Sequence, residues 1–310
     1  MESKERSEFT EHSLWAFELL FDGLRQGRDL LLLARLSARG IYQLEERYDH
    51  LQQFAEFNEH FVYEDESFKT VMKTYTLGNN HYLRLPQDKL AIELEHAADG
   101  AEAAREERAR NYAGINNQTF VSAWGMLEDT IRIFLVKWLA NRPDARRVAT
   151  SSIDKVKLSE YDPLDEEGKL FFIVERLILK GGGKGANRFE NLLKPFDLSG
   201  PVDEDLKPSV GDGKPYGCGQ TLFDAHYLRD VLVHRRGIID RKTAEACPSI
   251  GYKAGDPVRF TEAGLEVYVI AILEYIGLVI RRVANKLEVD HPELNLDYIL
   301  TKDWKIGNMR

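Results

Sequence analysis

The sequence predicts an all-α fold, and three stretches carry that reading. Between Ser13 and Ser37, apolar Leu14, Phe17, Leu20, Phe21, Leu24, Leu31 and Leu32 recur at helical spacing. From Ile115 to Leu139 the chain is densely apolar at the same period, with Phe120, Trp124, Leu127, Ile131, Phe134, Leu135 and Trp138. From Glu262 to about Lys286 it is apolar almost all round, the pattern of a helix placed centrally or at an interface.

In order, the first helix has Gly23, Gln26 and Gly27 in its middle, which leaves a kink or two shorter helices open. Gly40 is expected to end it, and a second helix follows from Ile41 to roughly Phe61, giving an antiparallel hairpin. Residues Tyr63 to Leu94 leave two readings open. One is a small β-hairpin around Gly78-Asn79-Asn80, with YLRLP and DKLAIELE alternating; the other is an irregular connection. Glu95 to Arg110 is Ala- and charge-rich, a solvated helix. The core helix at 115–139 takes Asn117 or Thr119 as N-cap and stops before Pro143. Asp162-Pro163 with Asp165 behind it is a helix start, and that helix ends at Gly181-Gly182-Gly183. Asn187–Phe196 is a short amphipathic helix, and Ser199–Gly219, with three prolines and five glycines, is a connection. A helix from near Leu222 to Gly237 precedes an excursion rich in Gly and Pro, and Thr261 caps the last long helix. This order divides the chain into an N-terminal helical region at 1–110, a helical domain at 111–288 and a polar tail at 289–310.

Apolar content of 43% and charged content of 30% are those of an ordinary globular chain. A net charge of −9 argues against a general nucleic-acid coating protein. It leaves room for a local basic patch: Arg229, Arg235, Arg236, Arg241 and Lys242 outnumber Asp230 and Asp240 between 229 and 242. Two cysteines, Cys218 and Cys247, imply no disulfide framework and make a reducing cytoplasmic setting the expectation. The N-terminus is polar and unlike a signal peptide, and the apolar run Val267–Ile280 is shorter than the roughly 20 residues of a membrane span. A soluble protein with no membrane partner is expected.

The most informative stretch is LRDVLVHRRGIID, Leu228 to Asp240. Five helical steps put Arg229 and His234 about 140° apart, near enough to converge on one groove when their side chains bend inward. Asp230 and His234, four apart, lie one above the other. This R-x4-H pattern at the end of an apolar helix resembles the motif of the HEPN superfamily of all-helical domains. Arg229, Asp230, Val231, Leu232, Val233, His234, Gly237 and Asp240 follow the order typical of one bacterial branch, and NRFENLLKPFDLSGP, 187–201, is similar to the helix and turn that precede it. Trp124 followed by Glu128-Asp129 is similar to the aromatic and acidic pair of the first core helix. The resemblance covers residues 111–288. It departs at Asp230, where active members frequently have Asn.

The resemblance implies a HEPN-like helical bundle that cleaves RNA without metal or cofactor, at a composite site across a homodimer. The RNA 2′-hydroxyl attacks the adjacent phosphate and leaves a 2′,3′-cyclic phosphate. His234 suits proton transfer near neutral pH, and Arg229, always charged and forked, suits the phosphate. Asp230 would orient the His234 imidazole, and Arg235, Arg236 and His226 would contact RNA. The resemblance also implies a toxin–antitoxin or antiviral setting with an antitoxin or other regulatory partner. Two readings stay beside it: a non-catalytic HEPN module that binds RNA or nucleotide or scaffolds a complex, and a helical interaction protein. In the latter, His and Arg merely complement the helix dipole.

Other candidates are weaker. GGGKG at 181–185 lacks the Walker spacing and follows a helix, so a C-cap with a flexible loop is expected. The remaining histidines lack metal-ligand spacing, and both cysteines read as loop residues without a CxxC. Glu128 and Asp129 point apart and read as solvated or dimer-facing. Trp124, Phe134 and Trp138 read as core.

Overall fold

A computed structural model of the chain describes residues 11–60, 70–77, 79–153, 158–202 and 217–289. The fold is all-α apart from one small hairpin. Its elements are α1 (Glu11–His60), β1 (Thr70–Leu77), β2 (Asn79–Pro86), α2 (Gln87–Ala109), α3 (Ala113–Asn141), α4 (Pro143–Ser152), α5 (Leu158–Tyr161), α6 (Glu166–Gly181), α7 (Ala186–Leu193), α8 (Cys218–His234), α9 (Arg241–Ala246) and α10 (Glu262–Leu287). The chain forms two compact units, Met1–Leu32 with Asn116–Arg310, and Leu33–Ile115. The division near residue 110 is therefore corrected at its N-terminal side, because the first part of α1 belongs with the helices that follow Asn116. The expected tail from His291 onward, and 203–216 of the expected connection, lie outside the described residues.

Helix α10 forms the centre of the larger unit. Every residue from Val269 to Ile280 is buried, including Glu274. Burying a Leu, Ile or Val side chain contributes roughly 1.5–3 kcal/mol, so this run is a large block of apolar stabilisation. At 26 residues α10 is also long and apolar enough to cross a membrane by length and composition, and 72% of its most apolar window is buried inside the fold, as in a core helix. Thr261 caps it by accepting from the Gly264 N–H at 3.1 Å, and Glu288 ends it with φ of 54°.

An aromatic chain ties the other helices to this centre. Trp124 of α3 lies 5.8 Å from Phe189 of α7, which lies 5.7 Å from Tyr275 of α10. Phe120 meets Phe260 at 4.7 Å, and Trp15 of α1 meets Trp138 at 5.8 Å. Trp124, Phe134 and Trp138 are fully buried, the core role expected for them. Asn117 and Thr119 prove not to be capping residues: α3 starts earlier, at Ala113, and the amides of Asn116 and Asn117 donate to the carbonyls of Phe260 and Val258 at 2.9 Å. They fix the extended segment that leads into α10. Similarly α6 starts at Glu166 with Asp165 as cap, accepting from Gly168 N–H at 2.7 Å, rather than at Pro163.

The expected break at Gly40 is absent, because α1 runs unbroken for 50 residues. Gly40 has no positive φ, and a Cβ there would have nothing within 4 Å, so it costs only its helix propensity, about 1 kcal/mol. Gly23 and Gly27 are not breakers either. A Cβ at Gly23 would stand 2.6 Å from Thr130 Oγ1, and one at Gly27 2.5 Å from Leu273 Cδ2, so both permit close packing on α3 and α10. In the smaller unit, β1 and β2 pair antiparallel from Thr70↔Pro86 to Leu77↔Asn79, which settles the hairpin alternative. DKLAIELE is helical, the start of α2. There, Arg47 pairs with Glu93 at 2.7 Å and Leu51, Ala101 and Ala104 are buried.

The GGGKG segment is a tight joint rather than a flexible loop. Gly182 caps α6 with φ of 55°, and Gly185, φ of 57°, has its Cα pressed on α8: a Cβ would lie 2.4 Å from Phe223 Cα. Gly185→Ala is expected to lower unfolding stability by at least about 2 kcal/mol through overpacking and left-handed strain. Gly40→Ala is expected to raise it by about 0.5–1 kcal/mol. Denaturant unfolding of both variants checks the pair, and equal signs would contradict it.

Candidate functional site

Helix α8 carries two adjacent faces. Cys218, Thr221, Leu222, Ala225, Leu228 and Val231 are buried at i, i+3, i+4 spacing, and Cys218 Sγ reaches the Ala271 carbonyl of α10 at 3.5 Å. Cys218 is thus the first helical residue, not a loop residue. Burying that face turns His226, Arg229, Asp230 and His234 toward the edge of the core. The helix ends at His234, three residues before Gly237, because Arg236 and Gly237 both take positive φ. Beyond it, Ile238 bridges to Pro257, Ile239 N–H donates to Asp256 O at 2.9 Å, and Val258 N–H donates to Gly237 O at 2.8 Å. The end of α8 is therefore held by backbone pairing on both strands of the turn.

Arg229 and His234 do converge. Arg229 Nη1 lies 3.4 Å from His234 Nε2, because the long arginine side chain spans the angular gap between the two positions. A guanidinium only donates, so in this contact Nε2 is the atom placed to accept. His234 is exposed and Arg229 half-buried.

Asp230 has a different place from the one expected of it. Its Oδ1 accepts from Arg229 Nη1 at 3.1 Å and its Oδ2 lies 3.9 Å from His226 Nε2. It braces Arg229, and the contact that orients His234 is the one from Arg229.

His226 is 14% exposed and sits edge-on to Trp124 at 5.9 Å, so it is an inward-facing residue rather than a surface one. Burial pushes its imidazole below the ordinary pKa; Asp230 pulls it back up, Arg188 and Lys184 push it down further, and Glu128 pulls up. Arg235 pairs with Asp240, which also caps α9 by accepting from Thr243 N–H at 2.8 Å. Arg236 is exposed at the turn.

Glu128 and Arg188 are the residues that sequence reasoning missed. Glu128, expected to be solvated or dimer-facing, is only 16% exposed; its Oε1 accepts from Arg188 Nη1 at 2.7 Å and its Oε2 lies 3.8 Å from Arg229 Nη2. The signal was present: Glu128 is four residues after Trp124 and three before Ile131, both buried, so it shares their inward face. Asp129, 61% exposed, pairs outward with Arg132 at 3.3 Å. Lys184 donates to the Tyr227 hydroxyl and stands 4.1 Å from that ring's centroid.

Among the described residues no three His, Cys, Asp or Glu side chains gather to hold a metal ion. Cys247 is buried, and burial with Asp224 beside it pushes its thiol up to about 12, an unreactive state. Set against known proteins, the chain matches no family model, no curated protein and no solved structure.

The folded chain protonates His226 at lower pH than the unfolded chain does. Below about pH 6.5 the unfolded state therefore binds more protons, and the stability from neutral His226, complete above that pH, is lost as pH falls. His226→Gln is expected to lose less stability than wild type between about pH 7.5 and about pH 5.5 in denaturant unfolding. Equal losses would contradict the burial of this imidazole.

Proposed function

We propose that this protein is a metal-independent endoribonuclease of HEPN type, with Arg229 and His234 as its catalytic pair. The observation that carries the reading is the 3.4 Å approach of Arg229 Nη1 to His234 Nε2 at an exposed helix end. Once the Arg229 guanidinium turns from Nε2 to the substrate phosphate, that nitrogen is free to take the proton of an RNA 2′-hydroxyl. O2′ then attacks the neighbouring phosphorus, the P–O5′ bond breaks, the 5′-oxygen takes up a proton, and a 2′,3′-cyclic phosphate remains. Charge builds on the non-bridging oxygens in that step, and the forked Arg229 guanidinium meets it. Arg236, exposed on the same turn, adds to the field that draws a polyanion.

The site works as a homodimer in this proposal. Val233 and Ile238, 45% and 44% exposed, flank His234 and supply apolar surface where a second copy would bring its own pair close. Regulation by an antitoxin or other partner in a defence setting, in the cytoplasm, belongs to the same proposal. A second reading, a non-catalytic HEPN module binding RNA or nucleotide, draws on Glu128 and Asp230. Two carboxylates beside Arg229 compete with a phosphate for it.

Wild type, Arg229→Ala and His234→Ala incubated with total RNA in EDTA test the proposal. Cleavage by wild type, reduced at least about 100-fold in each variant, is expected. His234 is exposed, so its variant should unfold within about 0.5 kcal/mol of wild type. Undiminished cleavage by folded His234→Ala would overturn the catalytic assignment; RNA binding without cleavage by wild type favours the second reading.

A further inference from the structure

The Arg229 side chain is not alone on its carboxylate. Glu128 of α3 presents one oxygen to Arg188 of α7 and the other to Arg229 of α8, so two guanidiniums from different helices flank one side chain. Arg188 uses Nη1 in that contact at 2.7 Å, and 31% of its side chain is exposed, against 27% for Arg229 and 16% for Glu128. An arginine carries five N–H donors in a fixed fork, so the Glu128 contact leaves Arg188 with donors on its exposed side. The arrangement holds two cations on one carboxylate at the surface, with the acid less exposed than either.

We propose that Arg188 is a second phosphate-binding residue, holding a phosphate of single-stranded RNA next to the one placed at Arg229 and His234. The assignment rests on the reading that the end of α8 binds RNA, and it names the neighbouring contact of that same site. Glu128 acts as a positioning residue: one carboxylate fixes the spacing of both guanidiniums. Lys184, in the joint before α7, donates to the Tyr227 hydroxyl of α8 and adds a third cation to this side of the helix. Together Lys184, Arg188 and Arg229 outnumber Glu128 and Asp230, which leaves positive charge along the path of a strand.

The probe is a short 2′-O-methyl RNA, which binds but cannot supply the attacking hydroxyl, titrated by fluorescence anisotropy over a range of salt. Each phosphate contact contributes about 0.7 to the slope of log affinity against log salt for a single strand. Arg188→Gln is expected to weaken binding about ten-fold and to make the slope shallower by about 0.7. The same comparison in a Glu128→Gln background removes both members of the pair together, so neither is left as an uncompensated charge.

If Arg188 touches phosphate, the slope falls by the same amount in that background. An unchanged slope, or an Arg188 effect that vanishes once Glu128 is Gln, would show that Arg188 is only the counterion of Glu128 and overturn the proposal. Failure of wild type to bind the probe would overturn it as well. Failure of the nuclease reading is separate: wild type would bind the probe through Arg188 yet leave unmodified RNA uncut. A chain that cuts RNA with no slope change in Arg188→Gln would overturn this inference alone.

Discussion

The burial of α10 is the constraint from which the rest of the larger unit follows. A helix with every residue from Val269 to Ile280 buried needs apolar partners around its whole circumference. The first part of α1 approaches through Gly27, α7 through Phe189, and α8 through its Cys218–Val231 face. Because α8 must give that face to α10, its remaining polar residues fall at the margin of the core. His226, Arg229, Asp230 and His234 are thereby presented together.

That margin is also where charge is managed. Partly buried ions need compensation, and here cations and carboxylates alternate, Arg188, Glu128, Arg229 and Asp230, with the His226 imidazole at the end of the row. Each carboxylate holds a cation in place without closing it off from the surface. His234 stands outside the chain of carboxylates, touched by Arg229 alone among them. It is thus left accessible at the helix end, as a proton-transfer group must be. The short pairing between Ile238–Ile239 and the segment before α10 fixes where the helix ends, and Asn116 and Asn117 of α3 fix that segment in turn.

Helical periodicity made α3, α6, α7 and α10 legible in the sequence, since each has a long apolar stripe and a recognisable cap or stop. Glycine was the main source of error. Gly23, Gly27 and Gly40 read as breakers because composition does not distinguish a glycine that ends a helix from one that lets another helix come close. The supposed capping role of Asn117 failed for a related reason: an asparagine can satisfy a distant backbone as readily as its own. Of the site, the convergence of Arg229 and His234 was readable from their spacing. The pairing of Glu128 with Arg188 was not legible, because contact between α3 and α7 depends on tertiary packing across 60 residues of chain.

The central claim is that the Arg229–His234 pair promotes attack by a 2′-hydroxyl, and product chemistry tests it most directly. An oligonucleotide with a single ribose among deoxyriboses, incubated with the protein in EDTA, would be analysed by mass spectrometry. Cleavage only on the 3′ side of that ribose, leaving a 2′,3′-cyclic phosphate, is the result this account predicts. Cleavage at the deoxyriboses, a 3′-hydroxyl product, or an intact strand would contradict it.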